Sequence, residues 1–346
     1  MKTWGLLSKY KLELYGFSII WIMIYHGNFL NRITHNNQFV YFISNFLDHG
    51  NCGVDIFLFL SGIFCFYSMK NHKGLKEFYQ KRMVRLFFPV VIIYGFYWAY
   101  DCILKKHNLI LFIEKITSLY FWLNGERSIW FIALIVPLYF FYPLLYNKFL
   151  NKYSEKTNWL IVLGMCVSIC LFVCLGKLYF FPLYKAYEIA ITRIPVFLIG
   201  SCLGIYVYED RPISLSVLIF SFLVMILGIL AFGFKMVPVV SFFRVPYLLT
   251  APCLALWICI LLDYIRLPGV NQILSMFGEV SLELYLSHLV VREIAKHVQL
   301  WGSNNLFNFV KYLFFVVLAS YTISKIVNIL FQQMLKKISK RKVISC

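Results

Sequence analysis

Two apolar runs near the N-terminus decide which solvent this chain folds in. Residues 11–30 read KLELYGFSIIWIMIYHGNFL and residues 50–69 read GNCGVDIFLFLSGIFCFYSM. Each is long enough to cross a bilayer, which takes about 20 residues. Runs of this kind recur near 12–30, 52–70, 86–104, 129–147, 159–175, 190–208, 213–232, 246–264, 273–296 and 306–331, about ten in all. Charged residues make up only 14% of the chain, whereas a soluble domain carries about a quarter. The pattern predicts an all-α polytopic membrane protein, with about ten transmembrane helices in one bundle. No linker or low-complexity tract interrupts it, so residues 1–346 are expected to form a single membrane domain without a soluble appendage.

The net charge of +18 is compatible with nucleic acid only if it forms a compact basic face. Here the lysines and arginines fall between apolar runs, which points to topology and anionic lipid and not to nucleic acid. Lys2, Lys9 and Lys11 precede the first run. Lys70, Lys73, Lys76, Lys81, Arg82 and Arg85 separate the second from the third, and Lys336, Lys337, Lys340, Arg341 and Lys342 close the chain. With an even number of spans these groups share one side, the cytoplasm by the positive-inside rule, so both termini are expected there. Lys105, Lys106, Lys115, Lys177 and Lys185 fall on the opposite side. The N-terminal run lacks a small-residue cleavage site and reads as a retained span.

Several runs carry polar residues that an anchor does not need. An ionisable side chain at membrane depth costs about 3 kcal/mol on insertion scales, which makes it a functional candidate. His26 lies in the first run; Asp55 lies near the start of the second, with Ser61 and Gly62 beyond it. At 1.5 Å per residue, His26 lies about 16 Å above Tyr15 and Ser61 about 9 Å below Asp55, so a His26–Asp55 contact is expected. A neutral histidine bonded to a neighbouring helix would account for His26 equally well. In FYQKRMVRLFFPVVIIY (78–94), Arg82 and Arg85 share a helix face where the third run begins. Guanidinium forks suit phosphate, as in coenzyme A, although snorkelling to lipid phosphates would explain them too. ITRIPVFLIGSCLG (191–204) sets Arg193 at the outer end of the sixth run. In GEVSLELYLSHLVV (278–291), Glu279 and Glu283 are four apart on one predicted helix face, with His288 beyond. The ten cysteines include no CxxC pair, and the Cys166, Cys170, Cys174 stripe lacks His or carboxylate companions, so no metal site is expected.

Taken in order, these stretches resemble the acyltransferase 3 family of bacterial membrane O-acyltransferases. That family's first span carries Arg-Gly and then a His; Gly16 and His26 fit, with Tyr15 at the Arg position and Lys11 one turn away. VDIFLFLSG resembles the second-span signature through Asp55, Ser61 and Gly62. KRMVRLFFP resembles the basic start of the third through Arg82, Arg85 and Pro89. SIWFIALIVPLYFFYPLL resembles the fourth through Trp130 and Pro143, RIPVFLIG matches through Arg193, Phe197 and Gly200, and VSLELYLSH matches the ninth through Ser281, Tyr285 and His288. The resemblance implies acyl transfer from cytosolic acyl-CoA, acetyl-CoA above all, to a glycan or lipid-linked glycan in the bacterial cytoplasmic membrane, alongside membrane lipid and glycan-assembly proteins. His26 would act as base with Asp55 orienting it. Arg82, Arg85, Ser61, Gly62 and Tyr15 would lie toward the donor, and Arg193, His288 and Trp130 toward the acceptor. Intramembrane charges would also suit a flippase for a lipid-linked sugar, and Tyr15 keeps an inactive relative in view.

Overall fold

The structure, a computed structural model, describes residues 2–27, 37–71, 74–104, 108–237, 244–297 and 306–344; residues 28–30 of the first expected span, Lys73, Lys105, Lys106 and Cys346 lie outside them. Among the described residues the regular structure is helical, apart from one isolated bridge between Thr3 and Pro212. A short α1 (Leu6–Lys9) leads into α2 (Lys11–His26); α3 (Gln38–Asp48) precedes α4 (Cys52–Asn71), and α5 (Leu75–Leu104) follows. Two short pieces, α6 (Leu109–Ile116) and α7 (Leu119–Asn124), come before α8 (Trp130–Leu145), which continues into a π-helical turn at Tyr146–Leu150 just after Pro143. Next are α9 (Glu155–Tyr179), α10 (Phe181–Ile191), α11 (Ile194–Tyr208), α12 (Leu215–Gly233) and α13 (Val245–Ile265). The chain closes with α14 (Pro268–Glu279), α15 (Ser281–His297) and α16 (Leu306–Ile344).

Eight helical stretches are long and apolar enough to cross a bilayer; the α14–α15 pair, bent by 73°, makes a ninth if counted as one broken span. The protein is an all-α polytopic membrane protein. Each of the ten expected runs has a helical counterpart, but not every one is a single straight span: the sixth divides between α10 and α11 at Thr192–Arg193. α2 has only 16 residues and ends at His26. The ninth run breaks at Val280, so Glu279 and Glu283 do not share one helix face as expected. Glu279 ends α14 and bonds Lys325 at 3.1 Å, whereas Glu283 sits on α15 and reaches Arg85.

The break lets α14 lie against α2 at backbone distance. A Cβ at Gly16 would come within 1.9 Å of the Leu274 carbonyl oxygen, and one at Gly278 within 1.9 Å of that of Leu12. Small residues permit this approach in a membrane, where packing rather than water exclusion drives association. Gly16→Val is therefore expected to destabilise the protein by about 3 kcal/mol, the upper range for overpacking, read as a lower melting temperature in detergent. A variant that melts like the parent would show that the two helices have room to part.

α4 is the central helix, and every residue from Cys52 to Phe66 is buried. It packs on α11, α2, α13 and α8. Gly62 serves that packing: a Cβ there would lie 2.2 Å from the Phe197 carbonyl oxygen, and one at Gly200 would lie 2.1 Å from that of Phe59. At the periphery, α9 and α12 turn large apolar side chains outward, among them Leu163, Phe172, Phe220 and Leu227, as lipid-facing helices must. Ser154 and Ser214 cap these two helices through their hydroxyls, accepting from Thr157 N and Val217 N. The N-terminal lysines are tied down as well. Lys2 and Lys9 bond Asp263, near the end of α13, at 2.7 and 2.6 Å. This fixes the start of α2 and the end of α13 at the same end of the bundle.

Candidate active site

Five helices, α2, α4, α5, α8 and α15, each line a cavity at one end of the bundle and then, further along, cavities at the other. The first cavity has a volume of about 540 Å³ and is lined by Lys11 and Tyr15 of α2, Ser61 of α4, Arg82 and Arg85 of α5, and Tyr139 of α8. Four of the five residues expected beside a donor thus meet in one chamber, and Lys11 joins them. Its ammonium lies 5.9 Å from the Tyr15 ring centre and 4.1 Å from that of Phe64. Gly62, the fifth, belongs to the α4–α11 contact instead.

The two arginines hold different partners. Arg82 bonds the Phe64 carbonyl and, at 2.6 Å, the Ser68 hydroxyl, and its guanidinium lies 5.2 Å from the Tyr139 ring centre. Arg85 was expected to present its fork to an anionic ligand. It is paired bidentately with the fully buried Glu283 of α15, with Nη2 to Oε2 at 3.0 Å. A buried carboxylate demands such a partner. The cations of this chamber that remain outside a carboxylate pair among the described contacts are Lys11 and Arg82.

At the opposite end, His26 lines a second cavity of about 540 Å³ and a side pocket of about 190 Å³. Its expected partner was Asp55. The structure instead brings it to His288: Nδ1 of His26 lies 2.8 Å from Nε2 of His288, with ring centres 5.1 Å apart. Nδ1 of His288 lies 2.7 Å from the Leu284 carbonyl oxygen. A carbonyl only accepts, so that nitrogen carries a proton. With one proton on the ring, Nε2 of His288 accepts from His26 Nδ1–H, and the lone pair of His26 falls on Nε2. A histidine thus sets the tautomer that an aspartate was expected to set.

Asp55 has other partners. Its carboxylate is bonded by Arg244 and lies 3.6 Å from Nε of Arg193. The two arginines arrive in the same way, each immediately before a helix whose first turn contains proline: Arg193-Ile-Pro opens α11 and Arg244-Val-Pro opens α13. Arg193 lies 4.6 Å from the Trp130 ring centre and Arg244 3.9 Å from that of Tyr247. Sequence reasoning missed Arg244, although the repeated Arg-x-Pro start was its signal.

Tyr285 belongs to all three cavities. Its ring centre is 5.2 Å from that of Phe131, which lines the first chamber, and 5.9 Å from that of His288. Tyr285 is therefore the lining residue that the basic chamber and the His26 cavities have in common. Among the described residues no group of three His, Cys, Asp or Glu side chains could hold a metal ion.

Fold and site together define a polytopic membrane protein with two chambers back to back and ionisable groups at each. A family model for an acyltransferase domain, acyltransferase 3, matches residues 14–325, nearly the whole chain. The chain belongs to the acyltransferase 3 family and is a membrane acyltransferase. No curated protein and no solved structure matched it.

Proposed function

We propose that the protein moves an acyl group, acetyl in the first instance, from cytosolic acyl-CoA to a hydroxyl of a cell-surface or lipid-linked glycan, with His26 as general base. The observation that carries this reading is the single tyrosine shared by the two chambers, since a donor and an acceptor held on either side of it would meet there. Positive charge on the chain start and on the start of α5 favours a cytosolic location for the basic chamber, in the cytoplasmic membrane of a bacterium. Lys11 and Arg82 take the donor's phosphates, and Arg85 braces the wall through Glu283. Lys11 supplies the charge that Tyr15 lacks.

In the reaction, the acceptor oxygen attacks the thioester carbonyl as Nε2 of His26 takes the hydroxyl proton. The C–S bond then breaks, and the departing thiolate of coenzyme A receives that proton. His288 acts as a positioning residue. His288→Gln sets an amide oxygen near the place of Nε2 and is expected to retain transfer within about tenfold, while His288→Ala loses about 10²-fold in kcat with little change in the KM for donor. Equal rates in the two variants would remove the positioning role. The whole reading is tested by incubating purified protein with acetyl-CoA radiolabelled in the acetyl group. Slow release of labelled acetate or self-labelling is expected; a protein that neither binds nor cleaves acetyl-CoA would overturn it.

A further inference from the structure

The charge around the 190 Å³ side pocket does not balance. Arg193 and Arg244 are 3% and 6% exposed, and they share one carboxylate, Asp55, itself 2% exposed. The third guanidinium of the pocket, Arg127, is already paired with Glu188 at 3.1 Å. Two buried cations on one anion leave a unit of positive charge where the dielectric is low and water is scarce, an arrangement that folding alone disfavours. Hydrogen bonding shows the same deficit. Nε of Arg193, 3.6 Å from Asp55 and beyond hydrogen-bond reach of it, and Nε of Arg244 are both buried without a hydrogen-bond partner, whereas buried donors are ordinarily satisfied; Nη1 of Arg193 bonds the Ile189 carbonyl. Trp130 and Tyr247 hold the two guanidinium planes by cation–π contact, so the forks are oriented before any ligand arrives. His26 lines the same pocket.

We infer that the acceptor is acidic: a carboxylate or phosphate on it docks against Arg193 and Arg244 and thereby sets a neighbouring hydroxyl at His26. The docking follows from the charge and the orphaned donors, while the hydroxyl's placement rests on the acyl-transfer reading above. Guanidinium recognises both oxyanions through the same paired hydrogen bonds. The anion has two sources, an acidic sugar or a phosphodiester in the glycan or its lipid carrier.

The test uses the full-length protein in detergent, saturated with coenzyme A so that the cations of the donor chamber are occupied. Three probes are titrated: methyl β-glucuronide, glycerol phosphate and the neutral methyl β-glucoside. An acidic probe is expected to raise the melting temperature by about 3 °C at tenfold excess over its Kd, and the glucoside to leave it unchanged. A larger response to glucuronide identifies a sugar acid, and a larger response to glycerol phosphate identifies a phosphodiester. Arg193→Met or Arg244→Met should abolish the response. Either substitution leaves a one-to-one pair with Asp55, so neither strands a buried carboxylate, and Arg193→Lys should restore part of the response. His26→Ala should still respond to the acidic probes and not to the glucoside. If acidic and neutral probes act alike, or the response survives both Arg→Met changes, the inference is overturned. Acidic probes that still bind a protein unable to bind or cleave acetyl-CoA would instead sink the acyl-transfer reading alone.

Discussion

His26→Ala is expected to lower acyl transfer by about 10²–10⁴-fold, the range a positioned general base supplies, without unfolding the protein. The substitution leaves Nε2 of His288 without the donor 2.8 Å away. An orphaned neutral acceptor costs about 1–3 kcal/mol, which lowers the melting temperature but does not abolish the native state. Donor binding should be unaffected, because Lys11 and Arg82 line a different chamber. Added imidazole, entering the space left by the ring, should restore part of the rate. Wild-type turnover in the alanine variant would remove the base, and a rate that imidazole cannot raise would move the role of His26 from proton transfer to packing.

The second large effect concerns stability. Arg85→Met is expected to cost about 3–5 kcal/mol, because Glu283 is fully buried and Arg85 is the cation that holds it. Arg85→Met combined with Glu283→Leu removes both charges and should recover most of the loss, since the buried carboxylate, Glu283, no longer lacks a cation. If Arg85 is a brace, the double variant also keeps its affinity for coenzyme A, while Arg82→Met weakens it by about tenfold or more. Melting curves and donor titrations on the three variants separate these roles. A double variant as unstable as Arg85→Met alone would show that the pair does not account for the energy.

The basic chamber was partly legible because several of its parts are local. Arg82 and Arg85 are one helical turn apart, Lys11 and Tyr15 likewise, and α2 and α4 pack on each other. Membrane hydropathy likewise predicted nearly every span. What escaped were pairings that depend on distant packing. His26 and His288 are 262 residues apart, and only the contact between α2 and α15 joins them. Asp55 was given to His26 because consecutive spans usually pack, and α2 and α4 do pack. Yet α11 and α13 also close on α4 and bring guanidinium groups, stronger partners for a buried carboxylate than an imidazole. Glu279 and Glu283 looked like neighbours because helical periodicity cannot reveal a bend. The bend at Val280 and the close approach of α14 to α2 at Gly16 and Gly278 are tertiary facts that go together.

That the two chambers share a lining residue, Tyr285, has a consequence for any membrane that holds an ion gradient. A bilayer that stores a proton gradient tolerates no continuous water column, so any protein hollowed from both faces must keep an insulating plug. A plug several layers thick would insulate better but would hold the two halves of a reaction beyond bonding distance. The wall here is thin, built from Tyr285 packed against Phe131 with Trp130 beside them. Thinning that wall at Tyr285 is therefore expected to cost insulation before it costs chemistry.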